Sequence, residues 1–159
     1  MSELYPALTP LTGAHPGGEA IAGVSLNVDA AVQTSKKGMR KAARTGFLFT
    51  HRGFSGPSVL DLSHHAVRAL EGGGARPLLL VNWTADSAAD WDARLSCKSA
   101  AAKPVVSVLR AHLPARLAHA LCAEADLLTS NCSEIRKPAR VALLDSLTRF
   151  KLPYDGHQG

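Results

Sequence analysis

The residue pattern changes character at Asp86, and that change limits the folds open to this chain of 159 residues. Before it, short apolar runs alternate with polar residues or are broken by Gly and Pro. After it, β-branched runs become rare, and Ala, Leu and Arg recur at helical spacing. A side-chain period of 2 and one of 3.6 suit different backbones, so the first half reads as strands and the second as helices. Val24, Leu26 and Val28 alternate with Ser25, Asn27 and Asp29, which predicts a half-buried antiparallel strand within residues 21–33. Short strands are expected near Ala7–Leu11, over Phe47–Thr50 and over Leu78–Trp83. Val59, Leu62, Ala66 and Leu70 can share one face of a helix running from Pro57 to about Glu71. Beyond Asp86, Ser87 and Asp90 make a capping-box pattern ahead of a helix to about Ser96. Further helices are expected over Val105–His112, Pro114–Glu124 and Lys137–Phe150. The last aligns Ala139, Leu143, Leu144 and Leu147 along one side. Lys151–Gly156 then returns to an extended pattern.

These elements predict an α+β fold. A small antiparallel, barrel-like β subdomain comprises residues 1–85 plus 151–159, and an α-helical subdomain, residues 86–150, is inserted before the last strand. Apart from helices and strands, the composition excludes several classes. No apolar run approaches the roughly 20 residues a membrane helix needs, and Met1–Pro6 lacks the basic region and apolar core of a signal peptide. A cytoplasmic protein is expected. Cys97, Cys122 and Cys132 are an odd number without a Cys-x-x-Cys pair, and read as reduced, buried thiols. Adjacent His64 and His65 would point about 100° apart on a helix, so no metal site is expected.

The strongest local signal lies in Gly46–Ser63. Phe47-Leu48-Phe49 reads as a brief buried strand that stops at Thr50-His51-Arg52-Gly53. Ser55-Gly56-Pro57 follows as a helix start, because Ser or Gly can cap and Pro suits the first helical position. The expected result is Thr50, His51, Arg52 and free helix-start N–H groups around one point, suited to an anion or a polar cofactor group. Each residue also has a purely structural reading. In that reading His51 pins the turn, Ser55 caps the helix, and Gly53 and Gly56 serve backbone geometry through positive φ or close approach. Gly53-Phe54-Ser55-Gly56 lacks the glycine pattern of a nucleophile elbow, and Asp61 has no acidic neighbour in sequence, so no catalytic residue is assigned. Trp83 and Trp91 flank the change of pattern and read as core or seam residues.

The formal net charge is +5. Much of the positive charge is local, in Lys36, Lys37, Arg40, Lys41 and Arg44. Such a cluster suits phosphate contacts, or else the solvated tip of a hairpin. No aromatic residue interleaves it, which argues against stacking on single strands.

Phe49–Pro57 closely resembles a motif of the inserted middle domain of BaiN/YhiN-like flavoproteins, the aminoacetone-oxidase-like, FAD-dependent NAD(P) oxidoreductases. The resemblance extends along the chain. Pro6–Thr12 is similar to the lead-in of that domain, Ala22–Leu26 to its next strand, His112–Leu117 to its helical Leu-Pro-x-Arg-Leu element, and Leu147–Gly156 to its returning strand. It implies that FAD is held by an FAD-binding domain of the same parent chain. This domain would cover the flavin and help shape the pocket for a small-molecule substrate. Thr50, His51, Gly53, Ser55, Gly56 and Pro57 are the cofactor-contacting residues it implies. The glycine-rich dinucleotide loop of such flavoproteins is missing, since Gly72-Gly73-Gly74 follows a helix and precedes a strand, the reverse of the required order. The expectation is an excised insert domain with no turnover and no bound FAD of its own. The alternatives are a nucleic-acid-binding module using Lys36–Arg44, or a purely structural or interaction domain.

Overall fold

The computed structural model describes residues 11–16, 21–33, 39–41, 44–60, 62–63 and 77–157. Eight strands occur among them: β1 (Leu11–Gly13), β2 (Ser25–Gln33), β3 (Met39–Lys41), β4 (Thr45–Phe49), β5 (Gly53–Ser55), β6 (Leu78–Asn82), β7 (Phe150–Lys151) and β8 (Tyr154–His157). A helix, α1, starts at Pro57 and is described over residues 57–60 and 62–63. Four more follow between the strands: α2 (Ala88–Ser96), α3 (Val105–Arg110), α4 (Ala115–Glu124) and α5 (Lys137–Thr148). The α+β class is as expected, with the helices α2–α5 inserted before the last strands. Residues 7–10, expected as strand, and residues 64–71, expected as helix, lie outside the described residues.

The sheet order is β7-β6-β2-β4-β5-β1-β8, with β3 pairing β2 beside that path. All pairs are antiparallel. β2 is the hub. Its first half pairs β4 from Ser25↔Leu48 to Val28↔Thr45, and its second half pairs β6 from Asp29↔Asn82 to Gln33↔Leu78. The alternation read from sequence holds, since Val28, Ala30 and Val32 are buried while Ser25 and Asn27 face out.

The expected single last strand is in fact two. β7 lies on one edge of the sheet against β6, and β8 lies on the other edge against β1. Only Leu152 and Pro153 separate them, and a two-residue gap allows no more than about 10 Å between strand ends. The two edges must therefore come together, which curls the sheet into a barrel. Pro153 has no N–H to offer a ladder, so the switch of edge falls where pairing is already interrupted. Leu152 N–H still bonds to the Leu79 carbonyl (2.8 Å), and the Tyr154 hydroxyl reaches Pro77 O (2.6 Å) across the seam.

Aromatic residues make up only 5% of the chain, yet they are concentrated. All four phenylalanines, Phe47, Phe49, Phe54 and Phe150, meet around Trp83 or one another, with Trp83 5.3 Å from both the Phe47 and the Phe150 ring centres. Edge-on and tilted geometries prevail, as ring quadrupoles favour. Trp83 also joins the sheet to α5. Its indole N–H bonds to Ser146 O (2.9 Å) and its backbone N–H to Leu147 O (3.2 Å). Both acceptors sit in the last turn of α5, where carbonyls lack intrahelical partners.

The helices obey their sequence signals closely. Ser87 and Asp90 form the capping box of α2, each side chain bonding to the other's backbone N–H. Leu143 and Leu147 of α5 are buried, with Ala139 and Leu144 packed beside them. Arg140 ties α5 to α2 through Asp92 (3.3 Å) and the Ser96 hydroxyl (2.6 Å). Trp91 is fully buried, with the Arg94 guanidinium 4.7 Å over its ring. A hydrogen bond from Arg94 (2.9 Å) holds the Asp86 carboxyl below the usual carboxylate range. One continuous cluster of buried side chains runs from Leu11 in β1 to Leu147 in α5 and Tyr154 in β8.

Because Trp83 serves barrel and helix at once, Trp83→Ala should cost about 3–5 kcal/mol, the usual range for emptying a core tryptophan site. Trp83→Phe keeps most of the ring but leaves Ser146 O without its donor, and should cost about 1–3 kcal/mol. Urea unfolding of both variants, followed by far-UV circular dichroism, checks the ranking.

Candidate functional site

β4 and β5 form a tight hairpin. Phe49 pairs Phe54, and the turn closes when Thr50 N–H bonds to Gly53 O (2.9 Å) and the Thr50 hydroxyl accepts from Gly53 N–H (2.9 Å). His51 and Arg52 are left at the tip, both exposed. β1 crosses this tip, with Gly13 N–H bonding to Arg52 O (2.9 Å). Gly53 is buried at the crossing, and a Cβ there would collide with the Leu11 carbonyl and the Thr12 backbone. Close approach is therefore what demands glycine at this position.

At the other end of β5 lies the helix start. Gly56 has φ +97°, a region side chains rarely tolerate, and its carbonyl accepts from Val59 N–H (3.1 Å) and Leu60 N–H (2.9 Å). The cap position falls on Gly56, with Ser55 one residue earlier at the end of β5 and Pro57 first in the helix. Ser58 fastens the start to β4 through Gly46 O (2.8 Å).

This geometry corrects one expectation. Thr50, His51, Gly53, Ser55, Gly56 and Pro57 do not gather around one point, because Gly53–Ser55 is a strand rather than part of the turn. Three extended residues span about 10 Å, so the His51 tip and the Pro57 helix start lie at opposite ends of β5. Nor is the helix start a cradle of free donors. Pro57 has no N–H, and two of the next three N–H groups are taken by the Gly56 carbonyl. Thr50 spends its hydroxyl on the turn. Of the six residues, His51 and Pro57 are exposed, Thr50, Ser55 and Gly56 are half-buried, and Gly53 is buried.

The structure brings other residues to the tip. Thr12, Ala14, His15, His51, Arg52 and Asp155 line a cleft of about 560 Å³ where β1 and β8 cross the hairpin. Thr12 donates its hydroxyl to Asp155 (2.8 Å). His15 is only 8% exposed and packs its ring edge-on against Phe49, at 5.3 Å between ring centres. Its Nε2 lies 2.9 Å from Gly53 O. A carbonyl only accepts, so Nε2–H is the donor in this bond. The ring's Nδ1 is buried and has no hydrogen-bond partner among the described residues. A buried polar atom left unpaired costs about 1–3 kcal/mol. His15 and Asp155 carried no local signal. His15 sits in a turn-rich segment, and Asp155 is 143 positions from its partner Thr12.

Cysteine placement departs from expectation in one case. Cys122 and Cys132 are buried, and burial pushes the Cys122 thiol up to about 11 and raises that of Cys132. Cys97 is exposed after α2, and the Ser99 hydroxyl at 3.0 Å lowers its pKa. No group of His, Cys, Asp and Glu among the described residues is arranged to hold a metal. Lys36 and Lys37 of the basic cluster lie outside the described residues. Arg44 is engaged, with Asp29 at 3.3 Å and the Asn27 carbonyl at 3.0 Å. No helix among the described residues is long and apolar enough to cross a membrane.

Residues 5–159 match the family model described as the HI0933-like protein barrel and H2TH domain. No curated protein matches the chain.

Two outcomes follow from the geometry. Gly53→Ala should destabilise the fold by about 1–3 kcal/mol, as overpacking does, because the added methyl must push β1 off the hairpin; thermal unfolding measures it. At pH 8, a thiol-alkylating reagent should label Cys97 alone in the folded chain, since the thiolate reacts and burial suppresses it at Cys122 and Cys132. Intact mass should then show one adduct, rising to three in urea.

Proposed function

We propose, given that this chain belongs to the HI0933-like barrel and H2TH family, that it is the insert (cap) domain of an FAD-dependent NAD(P) oxidoreductase. The family is associated with FAD-dependent oxidoreductase-like proteins. In this reading the FAD-binding domain of the same parent chain holds the cofactor. The barrel, residues 1–85 plus 151–159, covers the flavin, and the helical subdomain, residues 86–150, supports it. The observation that carries the reading is the His51–Arg52 tip. It is exposed and held by hydrogen bonds through Thr50, Gly13 and Gly53. A loop held this firmly while presenting polar side chains outward suits contact with something beyond the barrel.

The residues present fit a contact with FAD but not the holding of it. A dinucleotide pyrophosphate wants a glycine-rich loop whose N–H groups converge at a helix start. The chain has no such loop, and the donors at the start of α1 are largely taken. When bound by its own domain, FAD supplies the hydride chemistry, while the protein orients substrate and excludes water. His51 and Arg52 would orient polar groups at the edge of that site, and Ser55, Gly56 and Pro57 would border it from the other end of β5.

The chain alone should not retain FAD. A purified, yellow 159-residue protein with stoichiometric flavin absorbance would overturn the reading. With the FAD-binding domain restored on one chain, His51→Ala should lower turnover at least several-fold or shift the flavin spectrum, with the melting temperature nearly unchanged. Unaltered turnover and spectrum would remove His51 from the site.

A further inference from the structure

Arg52 has no ion-pair partner among the described residues, although Asp155 lines the same cleft. Donors and acceptors are sorted within it. Arg52 and His51 offer N–H groups from the hairpin tip. Asp155, which accepts from the Thr12 hydroxyl, is the acceptor on the barrel side. Gly13 N–H to Arg52 O and His15 Nε2–H to Gly53 O pin the β1 side to the hairpin, and β8 pairs with β1.

We infer that this cleft binds a small hydroxy-anion, a molecule carrying a carboxylate or phosphate next to at least one hydroxyl. The anionic group faces the Arg52 guanidinium, whose planar fork suits both oxyanions. The neighbouring hydroxyl donates to the Asp155 carboxylate. A plain carboxylate satisfies only the first half of the site, and a polyol without charge only the second. The volume of about 560 Å³ lies in the range of small-molecule sites. The inference does not rest on the flavin reading, since every group in it belongs to this chain and no cofactor is needed for binding.

The test uses the 159-residue chain without flavin. Glycerate, propionate, glycerol and glycerol 3-phosphate are titrated in turn, and the amide signals of Gly13, Arg52 and Gly53 and the His15 ring signals are followed by NMR. Glycerate or glycerol 3-phosphate should shift these signals saturably, and the tighter of the two identifies carboxylate or phosphate as the anionic group. Propionate and glycerol should bind at least about tenfold more weakly. Arg52→Gln should weaken the hydroxy-anion at least about tenfold. Asp155→Ala, which removes the acceptor, should erase the preference for glycerate over propionate. Both residues are exposed, and circular dichroism confirms that each variant is folded. Equal binding of glycerate and propionate, binding indifferent to Arg52→Gln, or no saturable shift with either hydroxy-anion would overturn the inference. FAD retention by the chain alone, or a silent His51→Ala in the restored enzyme, would leave this result standing.

Discussion

One tryptophan holds the two halves of this molecule in register. Trp83 follows the last residue of β6, places its ring among the phenylalanines of the barrel, and turns both of its N–H groups toward the end of α5. A helix end leaves carbonyls that need donors. Here two of those donors come from a residue whose position is set by the sheet. The helical run between Ala88 and Thr148 is therefore anchored where it re-enters the strands. The expectation that Trp83 sits at a seam is realised in this double attachment, and Trp91, which contacts Arg94 and His112, is a core residue of the helical side.

Much of the fold was legible because its signals are local. The Ser87/Asp90 box starts α2 where a capping box should. The Leu143/Leu147 stripe of α5 and the alternation of Val28, Ala30 and Val32 put their apolar faces inward, since period alone decides which face a helix or strand buries. What escaped the sequence was short or long-range. Three residues, Gly53-Phe54-Ser55, form a strand because Phe49 and Leu11 lie on either side to pair with them, and no property of the tripeptide announces those partners. The division of the last strand at Pro153 depends on which edge each half meets.

The candidate site shows the same split. The segment Phe49–Pro57 was visible in sequence, and its glycines do have demanding positions: Gly53 is crossed closely by β1, and Gly56 has a positive φ. Its interpretation as one convergent point was not right, because an extended triplet separates tip from helix start. The residues that share the cleft with His51 come from β1 and β8, distant in sequence and adjacent only after the barrel curls. Pattern reading finds residues that act through neighbours along the chain. It has no access to a histidine whose partner is a carbonyl 38 positions away.

The edge switch at Leu152–Pro153 has a consequence for how the chain reaches this state. β2, β4, β5 and β6 pair through modest sequence separations and can assemble as an open sheet. The β1–β8 pairing joins positions nearly the whole length of the chain apart, so its loop entropy is recovered only once everything between is ordered. Until then both rims of the sheet present unpaired backbone groups, the feature by which strands recruit foreign partners. A single short segment, Phe150–His157, pairs with both rims. Premature exposure and final protection of the sheet thus hinge on eight residues, and the timing of their docking sets how long the immature molecule stays open to misassociation.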